Sequence, residues 1–417
     1  MKYNKIEKDN YNIHIIDTNR FKEMHIVMFL TRKCNNDEMA LGNLLCSNIT
    51  YTSKKYNTKS KIATRGEELF GAKVSASFGY NGDTENIVLA LQMLNPKYTE
   101  EKYLDESLDF YKEIVFNPNV DKGGFNKEFF DITKDNYLNS IKSMKDNAAD
   151  YASILYNKIM YEGTIAEKSV PTIEEIESVT RKSLYEYYKK LFTGGYKIDI
   201  CIYGEDSELL VDKVDKLFKN IKGNKNKLDF NYKHNDRKEV VEKIENTNFK
   251  QSRLYIGYTL KGLNYHETNH VLRVYSTILG SMNDSMLFNY VREKYSLCYS
   301  INSSYNKYDP VLTIYAGINK VNYEEAKKRI FETIEFMKDK RKLKRLFNQA
   351  KETYNTFLNS YYDDLYGQIN HYYYSEFNLV EDIEELRKNL SNVTIDEVIK
   401  LNDKMQLSTI FLMRGDD

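Results

Sequence analysis

At 417 residues the chain is too long for one ordinary hydrophobic core, so two or more domains are expected. Its 61 basic and 61 acidic side chains cancel, which argues against a nucleic-acid or anionic-membrane surface as the main partner. The four cysteines (Cys34, Cys46, Cys201, Cys298) are scattered with no CxxC pair, against both a disulfide scaffold and a cysteine zinc site, and a polar N-terminus with no long apolar run points to the cytoplasm.

In chain order, a helical segment over 38–56 precedes Arg65-Gly-Glu-Glu-Leu69, and an alternating strand follows over 73–80. A second strand over 87–94 ends at Pro96, and helices are expected over 99–115 and 127–161. Pro171 starts another helical stretch that leads to a buried strand, Ile198-Asp-Ile-Cys-Ile-Tyr203-Gly204. A helix over 207–219 comes next. The polar run from Lys222 to Asp236 reads as a linker, dividing the chain into 1–221, 222–236 and 237–417.

The second half repeats this order at an offset of about 220 to 230 residues. A helix over 267–280 is followed by strands over 299–305 and 311–318, then helices over 323–338 and 346–377 and a closing strand over 408–413. The short word Leu138-Asn139-Ser140 recurs as Leu358-Asn359-Ser360. Strand pairs followed by helix pairs, twice, predict an α+β protein of two homologous domains, each an antiparallel-rich sheet packed against helices.

The stretch Arg292-Glu-Lys-Tyr-Ser-Leu297-Cys-Tyr299 resembles the Arg-Glu-x-x-x-Leu-x-Tyr signature of the pitrilysin/insulinase-type (inverzincin) peptidases. The duplicated order and the segment from Pro171 to Asp206 extend the resemblance over almost the whole chain. The resemblance implies two domains closing as a clam-shell chamber, with Arg292 and Tyr299 binding a substrate peptide. A planar guanidinium fork suits a peptide carbonyl or carboxylate, and a tyrosine hydroxyl adds a second bond. An ion pair of Arg292 with Glu293 and a half-buried sheet position for Tyr299 are the plain structural alternative.

Active members carry His-x-x-Glu-His in the first half, which places two imidazoles on one helix face for zinc and a Glu to activate its water. Here the matching helix reads Gly42-Asn-Leu-Leu45-Cys-Ser-Asn48-Ile49, so the three positions fall on Leu45, Asn48 and Ile49. The downstream metal-ligand position falls on Ser140. No histidine lies between His25 and His234. Leu and Ile cannot ligate zinc, and Leu45 and Ile49 have the spacing of a core stripe. The expectation is a zinc-free, non-catalytic chain, with no catalytic residues and no cofactor of its own. By the mitochondrial-processing-peptidase-like precedent, zinc would sit in a homologous partner subunit.

A second motif competes. His266-Glu267-Thr-Asn-His270 has the zincin pattern His-Glu-x-x-His, with Glu293 as a candidate third ligand. Against it, Asn264 and Glu267 have capping-box spacing, which gives Glu267 a structural task at a helix start. The cluster Tyr372-Tyr373-Tyr374 either lines a peptide chamber or fills a helix–sheet interface. No phosphate loop is present, and no serine or cysteine nucleophile has a visible histidine partner. Three functions remain open: a heteromeric peptidase's non-catalytic subunit, with a homodimer in isolation as an open alternative; an autonomous zinc peptidase; or a peptide-binding accessory protein.

Overall fold

The computed structural model describes residues 1–232 and 237–416. The last four residues of the expected linker, 233–236, lie outside the described residues. The fold is α+β, and the chain forms two compact units that are discontinuous in sequence.

The strands, in chain order, are β1 Lys2–Glu7, β2 Asn12–Asp17, β3 Glu23–Lys33, β4 Lys73–Asn81, β5 Thr84–Leu94, the short hairpin β6 Val120–Asp121 and β7 Gly124–Phe125, and β8 Lys197–Gly204. The second half adds β9 Val241–Asn246, β10 Ser252–Leu260, β11 Cys298–Asn306, β12 Val311–Ile318 and β13 Met405–Arg414. The helices used below are α1 Met39–Ile49, α2 Lys59–Glu68, α3 Lys102–Phe116, α4 Lys127–Met144 and α5 Ala148–Met160. They continue as α6 Ile173–Ser178, α7 Arg181–Lys190, α8 Val211–Phe218, α9 Leu272–Ser276, α10 Tyr323–Phe336 and α11 Lys340–Ser360. The last three are α12 Leu365–Ser375, α13 Ile383–Asn392 and α14 Ile395–Lys400.

The first unit contains residues 1–143, 170–230 and 363–380. Its sheet runs β1-β2-β8-β3-β5-β4, all antiparallel neighbours except the parallel pair β2 and β8. The central strand β3 is buried without a break from Met24 to Thr31, so it reads as a continuous apolar run instead of an alternating one. On the face carrying Val27, Phe29, Ala90 and Cys201 lies α12, with the Tyr373 ring stacked on Phe29 at 3.9 Å. Tyr373 is fully buried and hydrogen-bonded to Thr31, so the tyrosine triplet serves a helix–sheet core at its central member. On its helix side the sheet meets α1, where Gly42 allows close approach. An added Cβ there would lie 2.4 Å from the Phe78 ring of β4.

The second unit contains residues 144–169, 231–362 and 381–416 of the described chain. Its sheet runs β11-β12-β10-β13-β9, again with one parallel pair, β13 and β9. Leu254, Ile256 and Tyr258 of β10 face the main core, together with Leu272, Tyr275, Ile330 and Leu346 from the helices. The opposite face, with Tyr255, Val311, Phe411 and Met413, is covered by α5. Gly257 makes room for that helix: a Cβ would lie 2.4 Å from the Tyr156 hydroxyl and 2.6 Å from the Met160 sulfur.

Strand for strand, β4-β5-β3-β8-β2 corresponds to β11-β12-β10-β13-β9, including the position of the parallel pair. The two helical stretches expected over 127–161 and 346–377 each break into two. Asn147 caps α5 through bonds from the backbone N–H groups of Ala149 and Asp150, and Asp364 caps α12 from Gly367. The breaks fall where the chain passes from one unit to the other, so α5 belongs to the second unit and α12 to the first. The split expected at 222–236 therefore leaves each unit one helix short. Within that run, residues 222–230 are pinned to the first unit by Gly194 N–H to the Lys222 carbonyl (2.7 Å) and Asn224 N–H to the Tyr196 carbonyl (2.8 Å). Strands β1–β3, β9 and β10 were not among the expected elements.

Candidate functional site

Helix α1 carries the three positions where the family resemblance places zinc chemistry. Leu45 and Ile49 are each 1% exposed and belong to the core. Asn48 is buried too, and its side-chain amide donates to the Thr133 hydroxyl of α4 at 2.8 Å. Thr133 in turn donates to the carbonyls of Phe129 and Phe130. Ser140, expected to face this helix, is exposed, and its hydroxyl donates to the Tyr137 carbonyl one turn back. The residue of α4 that meets α1 is Thr133, seven positions earlier. Cys46 is buried on α1, and desolvation pushes its thiol up to about 12. Two aliphatic side chains, one amide and one hydroxyl do not make a zinc site. The donors do not fit the metal, and no catalytic step can be built on this helix.

The second unit places Arg292 and Tyr299 on either side of one tight connection. Arg292 lies in the wide-turned helical segment Phe288–Lys294. Turns of this π type are often found at functional sites. The segment is fastened to α10: Arg329 stacks on Tyr295 at 4.0 Å, and Tyr290 donates to Glu332 at 2.9 Å. The chain then turns sharply at Ser296, whose φ of 52° is left-handed, and two backbone bonds close the turn, Ser296 N–H to Arg292 and Leu297 N–H to Val291. Strand β11 begins at once. Tyr299 is the extra residue of a bulge between Cys298, opposite Ile318, and Ser300, opposite Gly317.

Both side chains present open polar tips. The Arg292 guanidinium stacks on Phe288 at 4.7 Å and lies a loose 3.8 Å from Glu293, with no hydrogen bond among the described residues. Tyr299 is 64% exposed, and its hydroxyl has no partner among the described residues. Burial pushes the Cys298 thiol up to about 11, against the opposing charge of Arg292. Strand β11 is also the outer strand of its sheet among the described residues. An arginine fork, a phenol and an unpaired strand edge thus share one end of the unit.

The His-Glu-x-x-His segment opens the helix that leads into α9. The expected capping box is present: Glu267 N–H donates to Asn264 Oδ1 at 2.9 Å, and Asn264 N–H donates to Glu267 Oε2 at 2.8 Å. Lys404 donates to both Glu267 oxygens, and these bonds overcome burial to hold the carboxyl below its usual range. The two imidazole Nδ1 atoms are 3.1 Å apart. Their Nε2 atoms point to different carboxylates, His270 to Glu381 at 2.8 Å and His266 to Glu397 at 3.2 Å. Glu293 is not among their partners and pairs loosely with Arg292 instead. Among the described residues no three His, Cys, Asp or Glu side chains are grouped to hold a metal. A catalytic zinc needs three protein ligands and a free general base. Glu267 is committed to the cap and to Lys404.

A cluster that the sequence did not reveal lies in the first unit. Arg32 binds Glu85, which is fully buried, at 2.7 Å and also reaches Glu38, while Asn35 N–H donates to the second Glu85 oxygen at 2.9 Å. Its groups satisfy one another, so it ties strands together and leaves no open group for a ligand.

These geometries agree with what the chain is similar to. A family model described as the peptidase M16 inactive domain matches residues 178–354. Over 409 residues the chain is 26% identical to the probable inactive metalloprotease YmfF of Bacillus subtilis, covering 96% of this chain and 95% of that protein. The uncharacterized zinc protease YmxG of the same organism is 28% identical over 247 residues, 57% of each protein. Among solved structures, a conserved protein from Enterococcus faecalis V583 has the same fold, with a TM-score of 0.90, 23% identity and 99% of both chains covered.

Proposed function

We propose that this chain, which belongs to the M16 family of pitrilysin/insulinase-type peptidases, is a non-catalytic member that binds peptide for a zinc-bearing homologue. The observation that carries the reading is the contrast between α1 and the Arg292–Tyr299 corner. The helix that should hold zinc is closed by Leu45, Ile49 and the Asn48–Thr133 bond. The corner that should hold substrate keeps its donors open.

In this reading an extended peptide adds to an open sheet edge through main-chain hydrogen bonds. Arg292 donates to a peptide carbonyl or a terminal carboxylate, and Tyr299 supplies a second hydrogen bond. The catalytic homologue supplies the zinc and the water-activating Glu. That one bacterium has both a probable inactive relative and a zinc-protease relative supports such a pairing. No helix among the described residues is long and apolar enough to cross a membrane, and the four cysteines are unpaired, which fits a reducing cytoplasm.

The test is reconstitution. The pure chain is expected to cleave no peptide and to hold no stoichiometric zinc after dialysis. Mixed with its zinc-bearing homologue, wild type supports cleavage, and Arg292→Ala lowers kcat/KM about 10- to 100-fold, the range for losing a charged hydrogen bond. The partner's zinc content stays unchanged. Chelator-sensitive cleavage by the pure chain, or a pair indifferent to Arg292→Ala, overturns the reading.

A further inference from the structure

The second unit holds a cavity of about 300 Å³ between α5 and strands β10, β11 and β12. Its lining is unusual for a chain in which 29% of residues are charged: no Asp, Glu, Lys, Arg or His takes part. Five tyrosines contribute, with serine, threonine and asparagine between them. Tyr156, Tyr255 and Tyr315 form a row of near-parallel rings, with centroids 4.8 and 6.1 Å apart and planes inclined by 24° and 27°. Exposure rises along the row from 2% at Tyr156 through 9% at Tyr255 to 36% at Tyr315, so the last ring offers an open face.

The polar groups are the second observation. Tyr156 is satisfied by the Thr313 hydroxyl at 2.9 Å. Ser153, Asn157, Tyr255, Ser304, Tyr305 and Tyr315 all line the cavity, and among the described residues none of their side-chain polar groups is hydrogen-bonded to another side chain or to backbone. None of these groups is sealed from solvent, so a ligand entering the cavity can replace water on them. Desolvation pushes the Tyr255 phenol up to about 12, so this ring stays neutral near pH 7.

Position supplies the third. Ser304 lies opposite Thr313, and Asn302 lies opposite Tyr315, on the outer strand β11. Ser300, Asn302, Ser304 and Asn306 therefore share the face that carries the cavity. Tyr299 is the second residue of the same strand, five residues or roughly 17 Å before Ser304.

We propose that this cavity is a subsite for one uncharged aromatic side chain of an extended peptide laid along β11 from the Arg292–Tyr299 corner. Its volume, at the lower end of the ~300–1,000 Å³ range of ligand sites, suits a single ring. The Tyr315 face stacks on that ring, and the hydroxyls and the Asn157 amide meet the peptide groups beside it. A lysine, arginine or acid would be desolvated there with no charged group in the lining to meet it. The inference rests on the peptide-binding reading given above.

The chain contains no tryptophan, so a tryptophan in the ligand is a selective optical probe. The experiment titrates the full chain against two blocked peptides of about ten residues, long enough to span both sites, that differ only in a central Trp or Ala. Wild type is expected to bind the Trp peptide about three- to tenfold more tightly, the range of an aromatic pair. Tyr315→Ser removes that preference, and Tyr315→Phe, which keeps the ring, retains most of it. Arg292→Ala weakens both peptides alike.

Equal binding of the two peptides, still weakened by Arg292→Ala, overturns the subsite and leaves the corner standing. A Trp preference that survives Tyr315→Ser places the subsite elsewhere and overturns it too. Binding of neither peptide overturns the subsite and the peptide-binding reading together, as does displacement of the Trp peptide by a neutral oligosaccharide such as maltotriose.

Discussion

The two units share one plan and differ in where they leave chemistry open. Each sheet carries a helix contributed by the other half of the sequence, α12 on the first and α5 on the second. Each of these helices sets a tyrosine at its ninth position on the sheet: Tyr373 on Phe29 and Thr31, Tyr156 on Tyr255 and Thr313. The first unit then seals its face with Val27, Phe29, Ala90 and Cys201. The second leaves a polar cavity beside Tyr156 and an open corner at Arg292. One frame can thus carry a closed core and an open site, because the frame depends on a few interior side chains and the site on residues at the outer strand.

The largest expected effect tests the shared part. Tyr373→Ala removes a fully buried ring and orphans Thr31, and should cost about 3–5 kcal/mol. Chemical denaturation should show this loss in the first unit, as an earlier transition than in wild type. A loss below 1 kcal/mol would mean that α12 is not part of that unit's core.

The next largest effect is electrostatic and belongs to the first unit alone. Asp199 is fully buried in β8. It accepts from His14 at 3.0 Å and Asn12 at 2.8 Å on one oxygen, and from Lys197 at 2.7 Å on the other. Burial alone would raise its pKa, but the His14 bond and the Lys197 charge outweigh burial and hold it at about 2. Its folded pKa therefore lies below the unfolded value of about 3.9. The stabilisation is complete above pH ~4 and is lost as the pH falls through about 2, on the order of 2 kcal/mol in all. Denaturant midpoints measured from pH 5 to pH 2 should fall steeply in wild type and less so in Asp199→Asn. Equal slopes would refute the assignment.

Much of this was legible in the sequence, and the failures have physical causes. The repeat, the α+β class and the apolar character of α1 follow from period and spacing, because burial of one face dictates them. The two long helices were read without their breaks, since 127–161 and 346–377 remain amphipathic across them. Asn147 and Asp364, each a good N-cap, were the available signals. The family pattern puts the downstream ligand position on Ser140, yet helix phase brings Thr133 to Asn48. The tyrosine-lined cavity was beyond reach, because α5, β10, β11 and β12 come together only through the exchange of helices.

A smaller effect sharpens the account of α1. Asn48→Ala leaves the Thr133 hydroxyl with its own backbone acceptors, so the loss should be about 1–2 kcal/mol, the cost of one buried bond and a small void. Added zinc should not change the melting temperature of either form. A zinc-dependent rise in wild type would mean that α1 retains metal ligands, against its Leu45, Asn48 and Ile49.

The smallest expected effect decides what the corner is for. Arg292 stacks on Phe288 and meets Glu293 only loosely, with a side chain 41% exposed. An exposed ion pair of that length contributes little, so Arg292→Ala should shift stability by less than about 0.5 kcal/mol. If the residue served the fold, as Asp199 does, its removal would lower the denaturation midpoint in proportion to any loss of function. Unchanged stability with weakened peptide binding would assign Arg292 to a ligand, in contrast to Asp199, which serves the fold. A substantial loss of stability would return Arg292 to the structural role that Arg32 plays beside Glu85, and would leave the open strand edge of β11 without a clamp.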